Sequence, residues 1–375
     1  MTRRTSRILL AGLVGLVLIA GYAIRVRDGM ADFEVNYRAG QRLESGETLY
    51  QTADGHWMFK YLPASALIYL PLGHLPIEAA KVTWFAISLL ALAWSFVLVR
   101  QLVPLPHRPY LLVLSALVLA KYFLHELRLG QINILIMTVM LLAIRAIEDG
   151  NGAASGVLVG MATALKPYAA VFFPYLLIKR NWKGAAAGGL VLGLALMVPA
   201  IFYGIAGNVR VLGEWARTLS QSTPALLTNN DNVSVLAFFA KWLGDPARAL
   251  IAGGIVIAVL ALLMLAVILR GGTIPNRPVL ECAVLLTLVP LISPMGWDYT
   301  FLVSLLAVAL LINALDGFPR TVQVLLAVNF AVIALAVFDV MGRRAYAAFM
   351  QWSVTTVNFL IVVAALGYLR FRGRL

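Results

Sequence analysis

Long apolar runs alternate with short polar connections along most of the chain. A membrane-spanning helix needs about 20 mainly apolar residues, and apolar runs lie near 8–24, 61–75, 79–99, 109–124, 131–147, 153–178, 184–203, 248–269, 279–292, 299–315, 321–340 and 351–369. The run at 61–75 is short and rich in proline, which favours a re-entrant or interfacial segment. The run at 153–178 is interrupted by Lys166-Pro167, which predicts two short segments that meet at this break. The pattern predicts about 12 (11–13) transmembrane helices.

Composition agrees with a membrane protein and excludes several other classes. Hydrophobic residues make up 61% of the chain and charged residues 13%, whereas soluble domains have about 45–50% and about 25%. A soluble globular enzyme, a disordered chain, a collagen and a disulfide scaffold are therefore excluded. The single cysteine, Cys282, also excludes an intramolecular disulfide and a zinc site built from cysteines. We expect an all-α polytopic fold with one membrane domain over residues 1–375.

The positive charges set the predicted orientation. The formal net charge is +13, and most Lys and Arg lie at the ends of apolar runs. The positive-inside rule then puts both termini in the cytoplasm, with the arginines Arg3, Arg4, Arg7, Arg370, Arg372 and Arg374. The pair Arg343-Arg344 falls outside and opposes this topology. No basic stripe with interleaved aromatic residues occurs, so nucleic acid is not an expected partner.

Polar residues cluster in the connections that this topology places outside the membrane. Residues 25–60 form the first extracytoplasmic loop, with a juxtamembrane helix near 32–44, and residues 204–247 form the second loop region. Five polar clusters fall on this face: Asp32, Arg128 with 130–133, Lys166-Pro167, 229–232 and 293–299. The cytoplasmic connections are short and mainly basic. The functional site is therefore expected to be extracytoplasmic.

Two charged residues at the membrane boundary are candidates for chemistry. A Lys inside a membrane helix costs about 2.5–3.5 kcal/mol on insertion scales, so Lys166 is expected to face a polar cavity, where it would suit a phosphate oxygen, or to pair or snorkel. Asp32 can act as a general base if its environment tunes it, or it can simply cap its helix. With Glu34 it forms an Asp-x-Glu pair that could hold a divalent metal. The four histidines share no spacing typical of metal ligands.

Small residues at fourfold spacing predict close helix packing. Gly152, Gly156 and Gly160 share one helix face, as do Gly184 and Gly188. Residues of this size let two helix backbones approach each other. These positions are therefore interpreted as packing sites and not as a nucleotide-binding loop.

Several motifs occur in a characteristic order along the chain: Asp32-Phe33, Tyr37, Ala39, Gly46, Leu49-Tyr50, Tyr61-x-Pro63, Gly130-Gln131-x-Asn133, Lys166-Pro167, Arg180-x-Trp182, Asn232-x-Ser234 and Ser293-Pro294-x-x-Trp297. Together they resemble the motifs of family 87 glycosyltransferases. This family belongs to the GT-C superfamily of membrane glycosyltransferases, which includes polyprenol-phosphate-mannose-dependent mannosyltransferases.

The resemblance implies a GT-C-like helical bundle that transfers a sugar, with inversion, from a polyprenyl-phosphate donor to an acceptor hydroxyl on the extracytoplasmic face. Asp32 would be the catalytic base. Lys166, with Arg128, would bind the departing phosphate, because fixed cations stabilise developing negative charge. The remaining expected substrate-binding residues are Tyr61, Gln131, Asn133, Asn232, Trp297, Asp298 and Tyr299.

The resemblance also sets the expected partners and location. The acceptor would be a glycolipid, a glycan or a protein, and the sugar would be mannose or another hexose or pentose. The protein would lie in the inner membrane, with no cofactor and no metal. Family members often carry histidine just after the last Trp, whereas here Asp298, Tyr299 and Thr300 follow Trp297. The alternatives are a transporter or flippase of a lipid-linked glycan, which would need polar residues on both membrane faces, and a non-catalytic assembly subunit.

Overall fold

The computed structural model describes residues 20–270 and 276–373. Most of the predicted first membrane segment, the arginines at positions 3, 4 and 7, and Arg374 therefore lie outside the described residues. Every regular element of the described part is helical, as predicted. The polypeptide forms long helices joined by short helical turns, and the functional clusters lie at those joints.

The α-helices in chain order are α1 (Ala31–Glu44), α2 (Leu70–Gly73), α3 (Ile77–Leu102), α4 (Leu111–Leu129), α5 (Asn133–Glu148), α6 (Gly152–Leu165), α7 (Phe172–Ile178), α8 (Trp182–Met197), α9 (Ala200–Leu226), α10 (Val235–Leu243), α11 (Pro246–Leu269), α12 (Arg277–Ile292), α13 (Leu305–Asn313), α14 (Arg320–Leu335), α15 (Phe338–Gln351) and α16 (Val354–Arg372). Short helical turns cover Tyr22–Val26, Thr52–Trp57, Pro63–Ile68, Pro167–Val171, Asp298–Ser304 and Leu315–Gly317.

Three helices of the described part are long and apolar enough to cross a membrane, namely α3, α11 and α16. Two further pairs meet this standard when each pair is taken as one bent unit. Helix α8 turns into α9 through 90°, and α14 turns into α15 through 99°. Many of the other apolar helices are short, so the number of about 12 crossings stays a prediction.

The second helix of each bent pair covers a segment that the sequence places in a connection outside the membrane. Most of the predicted second outer loop is helical, because α9 extends to Leu226 and α10 follows it. Its polar composition reflects an amphipathic helix and not an irregular loop. The basic pair Arg343-Arg344 is exposed on α15, which runs at a steep angle to α14.

The predicted interfacial segment at 61–75 forms the turn Pro63–Ile68 and the short helix α2. This segment packs against α1. A Cβ atom at Gly40 would lie 2.8 Å from the carbonyl carbon of Tyr69, so only glycine allows the two backbones to lie this close. The contact fixes α1, which carries Asp32, against the rest of the bundle.

Helices α6 and α8 pack backbone to backbone, as the glycine spacing predicts. A Cβ atom at Gly156 would lie 1.8 Å from the Gly184 carbonyl oxygen, and one at Gly160 would lie 2.6 Å from the Gly188 carbonyl oxygen. Neither distance can accommodate a side chain. Small residues therefore determine the separation of these two helices.

Helix α12 runs through the centre of the bundle and is buried along almost its whole length. Near its start, the fully buried Glu281 carboxylate accepts hydrogen bonds from Arg277 at 2.8 Å and from Tyr175 at 3.1 Å. Lys179 lies 2.7 Å from the same carboxylate. These contacts fasten α12 at one end, and the chain reaches the functional cavity at its other end, after Ile292.

Candidate active site

A cavity of about 690 Å³ lies where several helix ends meet. Its polar lining includes Asp32, Gln131, Lys166, Asp231 and Trp297, one or more from each of the five polar clusters that the sequence predicts to share a face. The remaining wall is mostly apolar and includes Val171, Leu219, Leu226, Val289 and Ile292. The cavity thus combines polar groups with a mostly apolar wall, which suits an amphiphilic ligand.

Local sequence explains why these residues lie at helix ends. Gly130 ends α4 with φ +66°, and a Cβ there would lie 2.6 Å from the Phe33 Cβ, so glycine permits both the turn and the contact. Lys166 adopts an extended conformation, with φ −141° and ψ 119°, because the following proline disfavours the helical region. At these two helix ends, the side chains of Gln131 and Lys166 reach the cavity.

A chain of hydrogen bonds connects Lys166 to Asp32 through the Gln131 amide. Lys166 Nζ donates to Gln131 Oε1 at 3.1 Å, and Gln131 Nε2 donates to Asp32 Oδ2 at 2.8 Å. A lysine ammonium can only donate and a carboxylate can only accept, so this pairing admits one orientation of the amide. Lys166 therefore fixes the direction in which Gln131 holds Asp32.

Asn133 and Glu126 support this chain from behind the cavity wall. Asn133 Oδ1 accepts hydrogen bonds from Lys166 at 2.9 Å and from Tyr168 at 3.0 Å. Its Nδ2 donates to Glu126 Oε2 at 2.9 Å. Glu126 also accepts from the backbone N–H groups of Asn133 and Ile134, which are free donors in the first turn of α5. A buried carboxylate thus caps α5 and balances the Lys166 charge.

Tyr61 completes the support for Gln131. Its hydroxyl donates to Gln131 Oε1 at 3.0 Å, and Lys166 Nζ lies 5.0 Å from the centre of its ring, within cation–π range. Burial and the nearby Asp32 charge raise the pKa of the Tyr61 phenol, so the hydroxyl stays protonated and remains a donor. Gln131 Oε1 therefore receives two fixed donors.

Another part of the cavity wall is built by the loops at 229–232 and 293–299, together with His125 of α4. The buried Asn232 side chain donates to the Pro294 carbonyl oxygen at 3.0 Å and ties the two loops together. Tyr299 lines the cavity, and its hydroxyl lies 3.4 Å from Gln131 Nε2. Asp298 is buried and lies 3.3 Å from His125 Nδ1. His125 lies on α4 and lines the cavity beside Tyr299, with 5.2 Å between the ring centres.

All predicted site residues except Arg128 fall into two groups. Asp32, Tyr61, Gln131, Lys166, Trp297 and Tyr299 line the cavity, while Asn133, Asn232 and Asp298 are buried behind its surface. Arg128 does not line the cavity; its side chain is exposed, and its backbone carbonyl accepts a hydrogen bond from Met30 at 2.7 Å.

Glu34 is held by Lys81 at 2.7 Å and Arg38 at 3.2 Å. Within the described residues no three His, Cys, Asp or Glu side chains form a group that could hold a metal ion.

Three functional candidates were not identified from the sequence: Glu126, His125 and Lys60. Glu126 and His125 lie on α4 among apolar residues, and ionisable groups within an apolar segment are a known signal of function. Lys60 lies between two helical turns and lines the cavity. Burial lowers the pKa of Lys60, while the Asp32 charge acts in the opposite direction.

Comparison with known proteins agrees with the motif order. The sequence model of glycosyltransferase family 87 matches residues 59–294, a range that includes Tyr61, Gln131 and Lys166 and begins after Asp32. The polyprenol-phosphate-mannose-dependent alpha-(1-2)-phosphatidylinositol mannoside mannosyltransferase of Mycobacterium tuberculosis is 28% identical over 317 residues, covering 79% of this chain and 71% of the relative. Its counterpart in Mycolicibacterium smegmatis is 28% identical over 326 residues, with 80% and 71% covered.

A third relative is named for the transfer of a different sugar. An alpha-(1->3)-arabinofuranosyltransferase of Corynebacterium glutamicum is 25% identical over 185 residues, which cover 47% of this chain and 41% of the relative. No solved structure matches the chain. The apolar helices and the polar cavity between them define a multi-pass membrane protein with an internal site. The chain belongs to glycosyltransferase family 87, and it is a glycosyltransferase.

Proposed function

We propose that this protein is an inverting glycosyltransferase that moves a sugar from a polyprenyl-phosphate donor to an acceptor hydroxyl on the extracytoplasmic side of the membrane. The observation that carries the proposal is the Asp32 carboxylate, which lies in the wall of the cavity and accepts a hydrogen bond of 2.8 Å from Gln131. The apolar wall around it suits a lipid chain. The names of two relatives make polyprenyl-phosphate mannose the first donor to test.

The reaction that this arrangement supports is a single displacement. Asp32 accepts the proton of the acceptor hydroxyl as that oxygen forms a bond to the anomeric carbon of the sugar. The bond between the anomeric carbon and the phosphate oxygen breaks, and the polyprenyl phosphate departs with the electron pair. A phosphate is a stable leaving group and needs no strong general acid. Attack from the face opposite the leaving group inverts the anomeric configuration.

Two cations, Lys166 and Lys60, line the cavity wall, and we propose that the phosphate charge develops on this side of the sugar. Fixed positive charge in a site with little water stabilises such a leaving group strongly. Arg128 takes no part in this proposal because its side chain is outside the cavity. The acceptor is proposed to be a glycolipid or glycan, by analogy with the relatives, with a sugar hydroxyl facing Asp32.

Transfer by the full-length protein in lipid nanodiscs tests the function. The donors would be polyprenyl-phosphate mannose and a polyprenyl-phosphate pentose, the acceptor phosphatidylinositol mannoside, and the readout the anomeric configuration of the product by NMR. We expect transfer from a lipid-phosphate donor with inversion. Retention of configuration would contradict the single displacement, and transfer from a nucleotide sugar alone would contradict the donor class.

Cysteine labelling in intact cells tests the side of the membrane. The natural cysteine, Cys282, is buried, so an introduced one reports its own position. Ala53→Cys lies in an exposed turn beside the cavity, whereas Glu148→Cys lies at the far end of α5, about 24 Å from the site end at 1.5 Å per residue. We expect a membrane-impermeant maleimide to label the first and not the second. The reverse pattern would place the site in the cytoplasm.

A further inference from the structure

The two cavity lysines differ in how many contacts their ammonium groups already make within the protein. We infer that Lys60 is the residue that binds the phosphate of the donor, and that Lys166 is a positioning residue that sets Gln131 and Asp32. The inference rests on the proposed function, and it assigns the phosphate-binding role to a different side chain from the one that the sequence favours.

Lys166 is already engaged by the protein. Its ammonium donates to Gln131 at 3.1 Å and to Asn133 at 2.9 Å, which uses two of its three N–H groups. It also lies over the Tyr61 ring at 5.0 Å, and the buried Glu126 balances its charge. Lys166 therefore has at most one N–H group left for a phosphate oxygen, and any movement towards the phosphate would weaken the contacts that orient the proposed catalytic carboxylate.

The ammonium group of Lys60 differs from that of Lys166 in this respect. Among residues 20–270 and 276–373, no hydrogen bond or ion pair engages its ammonium, although the side chain is only partly exposed and lines the cavity. A partly desolvated cation without a partner gains more from an anionic ligand than one already paired. Its three N–H groups are all available to phosphate oxygens.

The position of Lys60 suits this role. It lies in the same cavity as Asp32 and close enough for the Asp32 charge to act on it. A base and a phosphate ligand must flank the anomeric carbon in a displacement reaction, and these two residues enter the cavity from separate segments, α1 and the stretch before Pro63–Ile68. The Lys60 backbone oxygen accepts a hydrogen bond from Trp215 at 3.2 Å, which a side-chain substitution leaves intact.

Lipid binding without turnover tests the inference. The probes are polyprenyl phosphate and the matching polyprenol, and binding is followed by tryptophan fluorescence, since Trp57 and Trp297 line the cavity. We expect the wild type to prefer the phosphate, and Lys60→Met to reduce that preference about 10- to 100-fold with the polyprenol affinity unchanged. Lys60→Arg should keep most of the preference.

Controls separate this inference from the proposed function. Lys183→Met removes an exposed lysine and should leave both affinities unchanged. Lys166→Met should lower kcat and the melting temperature while the preference for phosphate remains. A wild type that prefers phosphate together with a Lys60→Met variant that keeps the full preference would overturn the inference and leave the function standing. A wild type that shows no preference would overturn the donor class itself.

Discussion

The Gln131 amide donates a hydrogen bond of 2.8 Å to the Asp32 carboxylate from a residue 99 positions away in the sequence. Its direction is determined by Lys166 and Tyr61, which both donate to the other end of the same amide. The carboxylate is therefore held by a side chain that cannot rotate without losing two donors. This relationship makes Gln131 the residue that positions the proposed base.

Replacing Gln131 by leucine tests this positioning role. Gln131→Leu keeps the approximate size of the side chain and removes both ends of the amide. We expect kcat to fall about 100-fold, the order of loss for a misplaced catalytic group, while the KM for the donor changes little. Gln101→Leu, at the exposed end of α3, is the control. An unchanged kcat for Gln131→Leu would show that Asp32 needs no support from this amide.

Glu126 and Lys166 are expected to be energetically coupled. Glu126→Gln alone or Lys166→Met alone breaks the chain of hydrogen bonds that joins the two residues through Asn133, and we expect each loss to cost about 1–3 kcal/mol. In the double variant both charges are gone, so its loss of stability should be smaller than the sum of the two single losses. Thermal melting in nanodiscs measures this. Strict additivity would mean that the two charges do not stabilise each other.

The packing of α6 on α8 predicts opposite effects for two similar substitutions. Gly156→Ala places a Cβ 1.8 Å from the Gly184 carbonyl oxygen, so the helices must separate, and we expect a loss of about 1–3 kcal/mol. Gly189→Ala on α8 meets nothing within 4 Å and should stabilise by about 0.5–1 kcal/mol through helix propensity. Melting temperatures report both. Equal effects at both positions would contradict the close approach.

The turn Thr52–Trp57 beside the cavity should lose stability in acid. Arg42 binds the Asp54 carboxylate through two hydrogen bonds of 2.5 and 2.9 Å, and this bonding lowers the pKa of Asp54. A lowered pKa in the folded state contributes stability that is present above the unfolded value of about 3.9 and is lost as pH falls through the folded value.

Hydrogen exchange of the turn Thr52–Trp57, corrected for the intrinsic effect of pH, measures how the stability of the turn depends on pH. We expect wild-type protection to be constant near neutral pH and to fall only in acid below the ordinary Asp range. Arg42→Met should lower protection at neutral pH to the level that the wild type reaches in acid, and should abolish the pH dependence in this window. Wild-type protection that survives full protonation of Asp54 would show that the ion pair does not hold the turn.

Several features of the site were predictable because local rules fix them. A proline after Lys166 forces the helix to stop, and helix ends on one face bring polar clusters together, so the cavity at Asp32, Gln131 and Lys166 could be predicted from the pattern. Gly156 and Gly184 were predictable for the same kind of reason, since small residues at fourfold spacing have few other uses in an apolar helix.

Other features depend on three-dimensional partners that spacing does not reveal. Arg128 was expected in the cavity, yet a residue two positions from Glu126 on an α-helix points to the opposite side, and the inward position belongs to Glu126. The role of Glu126 depends on Lys166, which is 40 residues away. Lys60 lies in an irregular stretch, where no periodicity indicates the direction of a side chain.

Asp32 is the proposed base, and transfer by Asp32→Asn tests this role most directly. The substitution keeps the shape and removes the basic oxygen. The control is Asp28→Asn, an exposed carboxylate just before the same helix. In nanodiscs with polyprenyl-phosphate mannose and phosphatidylinositol mannoside, we expect Asp28→Asn to retain wild-type transfer and a folded Asp32→Asn protein to lose it by about 100-fold or more. Equal transfer by a folded Asp32→Asn protein and the wild type would contradict the account.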